Sequence, residues 1–104
     1  DRQVAAVVGH GAILMTGMEP LTAATHDLGV MVFVFHDGEL RQISQFQSIP
    51  LNRKTCTVLN DFRVEGVADA VGAHFVAMEN DAAIGGPSTR RWRYPRVEHW
   101  CALT

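Results

Sequence analysis

Two unbroken apolar runs, Val4-Ala5-Ala6-Val7-Val8 and Val30-Met31-Val32-Phe33-Val34-Phe35, constrain this chain more than any other feature. Neither alternates polar with apolar residues, so both read as strands buried on two faces, the pattern of a parallel sheet. Parallel neighbours need a crossover of about a dozen residues or more, and the segment between the runs supplies one. Thr16-Gly17-Met18-Glu19 has the form of a capping box, with the Thr16 hydroxyl placed to accept the Glu19 amide. A helix is expected from there to about Leu28, with Gly29 as its stop and Pro20 removing one early hydrogen bond. Strand, helix and strand make a right-handed βαβ unit. The expected fold class is α/β, a parallel sheet with flanking helices.

The rest of the chain is read against that unit. Leu40, Ile43 and Phe46 are spaced three apart and predict a short helix over 39–47, followed by a loop over 48–54 that Pro50 breaks. Asn60-Asp61 is expected to cap a helix whose Val64, Val67, Ala68 and Val71 share one face, closed by Gly72. His74-Phe75-Val76-Ala77 is a third strand candidate, and 79–84 a further helix start. Met15, Met18 and Met31 are expected to fill core. With 104 residues the chain is one small domain.

Several function classes fall away on composition. The longest apolar run, Val30 to Phe35, is far short of a bilayer span, and no charged segment leads into an apolar leader. Membrane and secreted readings are set aside. Cys56 and Cys101 lie far apart without CxxC or Cys/His spacing, which reads as two reduced thiols of a cytoplasmic protein. The chain opens on Asp1, which reads as a processed piece or a fragment of something longer.

Charge is unevenly placed. Residues 1–89 carry five Lys/Arg against ten Asp/Glu, whereas residues 90–104 carry four Arg against one Glu, with both Trp and the single Tyr. Residues 85–104 are therefore expected to stand apart from a domain formed by residues 1–84. Arg90, Arg91, Arg93 and Arg96 interleaved with Trp92 and Tyr94 could stack single-stranded nucleic acid. A basic tail more often is a solvated end, and no nucleic-acid partner is expected.

Chemistry in an open parallel sheet sits beyond the carboxyl ends of its strands. Two loops reach that edge: Gly9-His10-Gly11-Ala12, expected to form a tight turn, and His36-Asp37-Gly38-Glu39. A Gly-x-Gly turn leaves room for a phosphate to approach backbone. The dinucleotide fingerprint fails, because its third glycine falls at Leu14. His10 and Asp37, 27 residues apart, each end a strand and face one cleft.

At this point the residues resemble the thiamine diphosphate-dependent enzymes, in particular their acetolactate synthase-like group. That family's cofactor motif begins Gly-Asp-Gly and closes, a strand, helix and strand later, at an Asn-like metal ligand. The run from Val7 through Gly9-His10-Gly11-Ala12 to Met15 resembles its start, Glu19 and Leu21 to Ala23 its helix, and Val32 to Leu40 its end. Ile43 to Gln47 resembles the segment that follows. No gap is needed from Val4 to Gln47, and a looser likeness runs to about residue 84.

The resemblance implies that Gly9 and Gly11 shape the turn beneath a diphosphate, with Gly38 beside it, and that the Ala12 amide donates to a phosphate oxygen. It implies Asp37 and the Glu39 carbonyl as ligands of a magnesium ion, with His10 at the motif's remaining metal position. The cofactor supplies the chemistry by which a 2-keto acid loses carbon dioxide and is passed to an acceptor. It implies further domains or a second subunit, and a homo-oligomer. His10 departs from the motif's Asp, and magnesium prefers oxygen donors to imidazole. Two readings stay open: a fragment supplying the diphosphate and metal end of such a site, or a degenerate α/β module that binds no cofactor. A two-histidine, one-carboxylate site from His10, His36 and Asp37 is a weaker rival. Ser44 and Cys56 lack a neighbouring base for nucleophilic catalysis.

Overall fold

The computed structural model describes residues 4–80 and, as backbone, 99–103. Along the chain run β1 (Val4–Gly9), α1 (His10–Thr16), α2 (Pro20–Thr25), β2 (Val30–Phe35), α3 (Arg41–Leu51), α4 (Val64–Val71), β3 (His74–Met78) and β4 (His99–Leu103). The four strands form one sheet in the order β1-β2-β4-β3. All three pairings are parallel, and β1 runs beside β2 from Val4 opposite Val30 to Gly9 opposite Phe35. The fold is α/β with a parallel sheet and flanking helices, as the two apolar runs imply.

Val32 and Val34, two residues apart, point to the same face of β2 and are buried there with Ile13 of α1 and Val64, Ala68 and Val71 of α4. Burial is not symmetrical between the strands. Val34 is 0% exposed and Val7 is 67% exposed. The expectation that both runs are buried on two faces is thus corrected for β1: among the described residues it is the sheet's edge, paired with β2 alone, and Val4 and Val7 lie open. Met15 and Met18 are exposed as well, so of the three methionines only Met31 is half-buried.

Local chemistry moves several boundaries. Gly9 is extended and α1 starts at once, so His10-Gly11-Ala12 is the first turn of a helix and not a tight turn. The capping box does not form. Thr16 Oγ1 donates back to the Ala12 carbonyl at 3.0 Å, and the Glu19 amide donates to the Thr16 carbonyl at 3.0 Å. Pro20 has no N–H for that carbonyl, so it opens a new helix as its first residue, where a missing N–H costs nothing. Helix α2 ends at Thr25 with His26 as its C-cap, and just beyond it Asp27 takes φ 54° while the Leu28 amide reaches the Ala23 carbonyl at 2.9 Å. Gly29 is not needed for the stop.

Helix α3 continues through Pro50 to Leu51 and ends on Asn52 at φ 48°, so the loop expected over 48–54 shortens. Its buried residue is Ser44, while Ile43, Phe46 and Ile49 face outward. Arg63, not Asn60 or Asp61, precedes α4, and Gly72 closes it at φ 75°. The helix expected over 79–84 is not entered at Glu79 or Asn80, and its remainder lies outside the described residues, as do residues 85–98. Strand β4 comes from the stretch that composition set apart, and it lies inside the sheet between β2 and β3. For His99–Leu103 the expected separation from the fold is corrected: arginines dominate residues 90–96, and the residues after them suit a strand. No helix among the described residues is long and apolar enough to cross a membrane.

Candidate functional site

The carboxyl ends of β1 and β2 bring the two sequence-predicted loops to one edge of the sheet. A cleft of about 290 Å³ opens there, lined by residues 9–12 on one side and by 37 and 39–43 on the other. Gly9, His10, Gly11, Ala12, Asp37 and Glu39 therefore meet at one place. Gly38, between Asp37 and Glu39, does not line the cleft and takes φ 68°. An antiparallel bridge between Glu39 and Val58 fixes this loop: the Leu40 amide donates to the Thr57 carbonyl at 2.8 Å, and the Leu59 amide to the Gly38 carbonyl at 2.9 Å.

His10 is wholly buried. Its ring stacks on His36 with centroids 4.4 Å apart and an interplanar angle of 28°, and it meets Phe62 edge-on at 4.8 Å. The Gly38 amide donates to His10 Nδ1 at 3.2 Å, which makes Nδ1 the acceptor and Nε2 the protonated nitrogen of the neutral ring. Nε2 is buried without a hydrogen-bond partner. His36 Nε2 lies 3.2 Å from Asp61 Oδ1, an ion-pair distance without hydrogen-bond alignment.

The two carboxylates of the cleft are both engaged. Arg41 Nε, four residues on at the start of α3, donates to Asp37 Oδ2 at 2.9 Å. This hydrogen bond holds the Asp37 carboxyl below its usual range, against a smaller opposing effect of burial. Lys54 Nζ and Ser44 Oγ donate to Glu39 Oε1 at 2.7 and 2.5 Å, and Lys54 first, Ser44 second, lower its pKa. Gly11 does not stand open, because a methyl group there would collide with Leu40 Cδ2, whereas Gly9 faces free space. Arg41 was legible in the sequence as a cation four residues beyond Asp37. Lys54 and Phe62 were not, because only the fold brings them here.

The family profile described as "Thiamine pyrophosphate enzyme, C-terminal TPP binding domain" matches residues 1–86. The chain belongs to the thiamine pyrophosphate enzymes. No curated protein sequence matches it. Among solved structures, benzoylformate decarboxylase from Polynucleobacter necessarius is similar over 99% of this chain and 20% of its own, with a TM-score of 0.84 at 16% identity. A protein described as a thiamin diphosphate-dependent enzyme, isolated from Mycobacterium smegmatis, is similar over 100% of this chain and 18% of its own, with a TM-score of 0.76 at 18% identity. At such identities the likeness is one of fold, and the chain spans about a fifth of the length of these thiamine pyrophosphate enzymes.

Against the family's cofactor, the donor set of this thiamine pyrophosphate domain is mixed. Amides of the first turn of α1 lack intrahelical acceptors, Ala12 among them. The metal position does not fit magnesium. That ion needs near-octahedral oxygen ligation, but His10 offers a sealed imidazole and Asp37 a carboxylate committed to Arg41. Among the described residues, no group of three or more His, Cys, Asp and Glu is placed to hold a metal.

Proposed function

We propose that this domain, residues 1–84, supplies the diphosphate end of a thiamine diphosphate site in a 2-keto acid decarboxylase or carboligase of the acetolactate synthase-like group. The remaining domains, or a second subunit of a homo-oligomer, supply the rest of the site, and the assembly works in the cytoplasm. The observation that supports this reading is the meeting of residues 9–12 and of Asp37 and Glu39 in one cleft at the carboxyl edge of a parallel sheet. When bound, the cofactor supplies the electron sink for decarboxylation. Gly9, Gly11 and Gly38 shape the ground beneath it, and the Ala12 amide is the phosphate donor.

A second reading is a module that keeps the α/β core, binds no cofactor and serves as an interaction surface. It is favoured by a specific observation, the commitment of Asp37 to Arg41, of Glu39 to Lys54 and of His10 to Gly38. Calorimetric titration of thiamine diphosphate with magnesium into this chain and into its His10→Asp variant separates the two. Heat with both supports the cofactor site as proposed. Heat with the variant alone means that His10 has disabled a site otherwise intact in outline. Heat with neither leaves the second reading standing.

A further inference from the structure

In a metal-dependent diphosphate site the dication is the largest local charge and is drawn by uncompensated carboxylates. Here the cleft holds two carboxylates, each paired with a cation of the chain. Asp37 faces the Arg41 guanidinium at 2.9 Å and Glu39 faces the Lys54 ammonium at 2.7 Å, which leaves no net negative charge to attract a metal. The third expected ligand position is closed sterically. His10 is fully buried, its Nδ1 lone pair points at the Gly38 amide, and its ring is packed between His36 and Phe62.

We infer that this cleft takes no divalent cation, and that Arg41 is the residue that excludes it by holding Asp37. A metal ion at Asp37 would share the carboxylate with the Arg41 guanidinium, whose charge-assisted hydrogen bond holds Oδ2, and would have the Glu39 carbonyl as its remaining expected oxygen ligand. The guanidinium stands at the mouth of the cleft as a resident cation. The inference deepens the proposed reading and rests on the same cleft, but it concerns the metal alone and can fail by itself.

The test is a titration of manganese(II), without thiamine diphosphate, into the isotope-labelled full chain, followed by paramagnetic broadening of backbone amide signals. The wild type, Arg41→Gln and the double variant Arg41→Gln/Asp37→Asn are compared. Arg41 is largely exposed, so its substitution leaves the core untouched, and the spectrum itself reports folding. In the wild type, the Gly38 and Glu39 amides are expected to broaden no more than other exposed amides. In Arg41→Gln they are expected to broaden at manganese concentrations lower by roughly tenfold or more, and the added Asp37→Asn change is expected to abolish this. Selective broadening at Gly38 and Glu39 in the wild type would overturn the inference, and so would the lack of any gain in Arg41→Gln. Because cofactor is absent throughout, failure here leaves the calorimetric outcome for thiamine diphosphate to be judged separately.

Discussion

His10 Nδ1 accepts the Gly38 amide at 3.2 Å, and through that contact the first turn of α1 is tied to the loop leaving β2. Replacing His10 by Ala leaves the half-buried Gly38 N–H without its acceptor and opens a cavity against His36 and Phe62. A loss of about 2–4 kcal/mol is expected. Urea unfolding with an unchanged denaturant slope checks it, and a change below about 0.5 kcal/mol would sink the structural role assigned to the ring.

Burial differs sharply between the two apolar runs, so equal truncations should have unequal effects. Val34→Ala removes methyls from the centre of the core and is expected to cost about 2–3 kcal/mol. Val7→Ala, on the open edge strand, is expected to stay within about 0.5 kcal/mol. Thermal and chemical unfolding of the pair would expose a β1 covered in solution, because both variants would then lose stability alike.

Acid sensitivity follows from the Asp37–Arg41 pair. Since the folded carboxyl titrates below its unfolded value, the pair stabilises the fold above that unfolded value. Its contribution fades as pH falls through the lowered folded value. In Arg41→Gln, the Asp37 carboxyl is expected to titrate at higher pH, and this part of the acid limb disappears. Carbon-detected carboxyl titration of the two proteins reads the shift directly.

Helix α3 presents Ile43, Phe46 and Ile49 to solvent and turns Ser44 inward. With Val4 and Val7 also open on the edge strand, the isolated chain is expected to self-associate. Sedimentation should show species above the monomer that decline in Phe46→Glu/Ile49→Glu at unchanged unfolding midpoint. A clean monomer in the unsubstituted chain would contradict this.

Much of the frame was readable one residue at a time. The run Val30 to Phe35 has the same ends in the sequence and in the sheet, because Gly29 and His36-Asp37-Gly38 bound six apolar residues on either side. Helix α4 follows from Val64, Ala68 and Val71 at one-turn spacing with Gly72 after them. The capping box misled because Thr16 competes for a carbonyl in its own helix and Pro20 restarts the chain. Pro50 misled for the opposite reason, since a last-turn proline need not end a helix whose C-cap, Asn52, comes two residues later. Strand β4 was masked by the arginines preceding it.

The sequence by itself determined the strands and crossover of the first βαβ unit, their parallel pairing and the two loops that would carry any site, since spacing and local propensity encode these, and residues 4–47 carried the likeness to the family. Only the tertiary structure decided what those loops have become. That His10 is sealed between His36 and Phe62, that Lys54 reaches Glu39 across 15 residues of chain, and that β1 lies at an open edge are consequences of packing between distant segments. Charge compensation and burial depend on which groups the fold brings within a few ångströms, and no local stretch of sequence carries that distance.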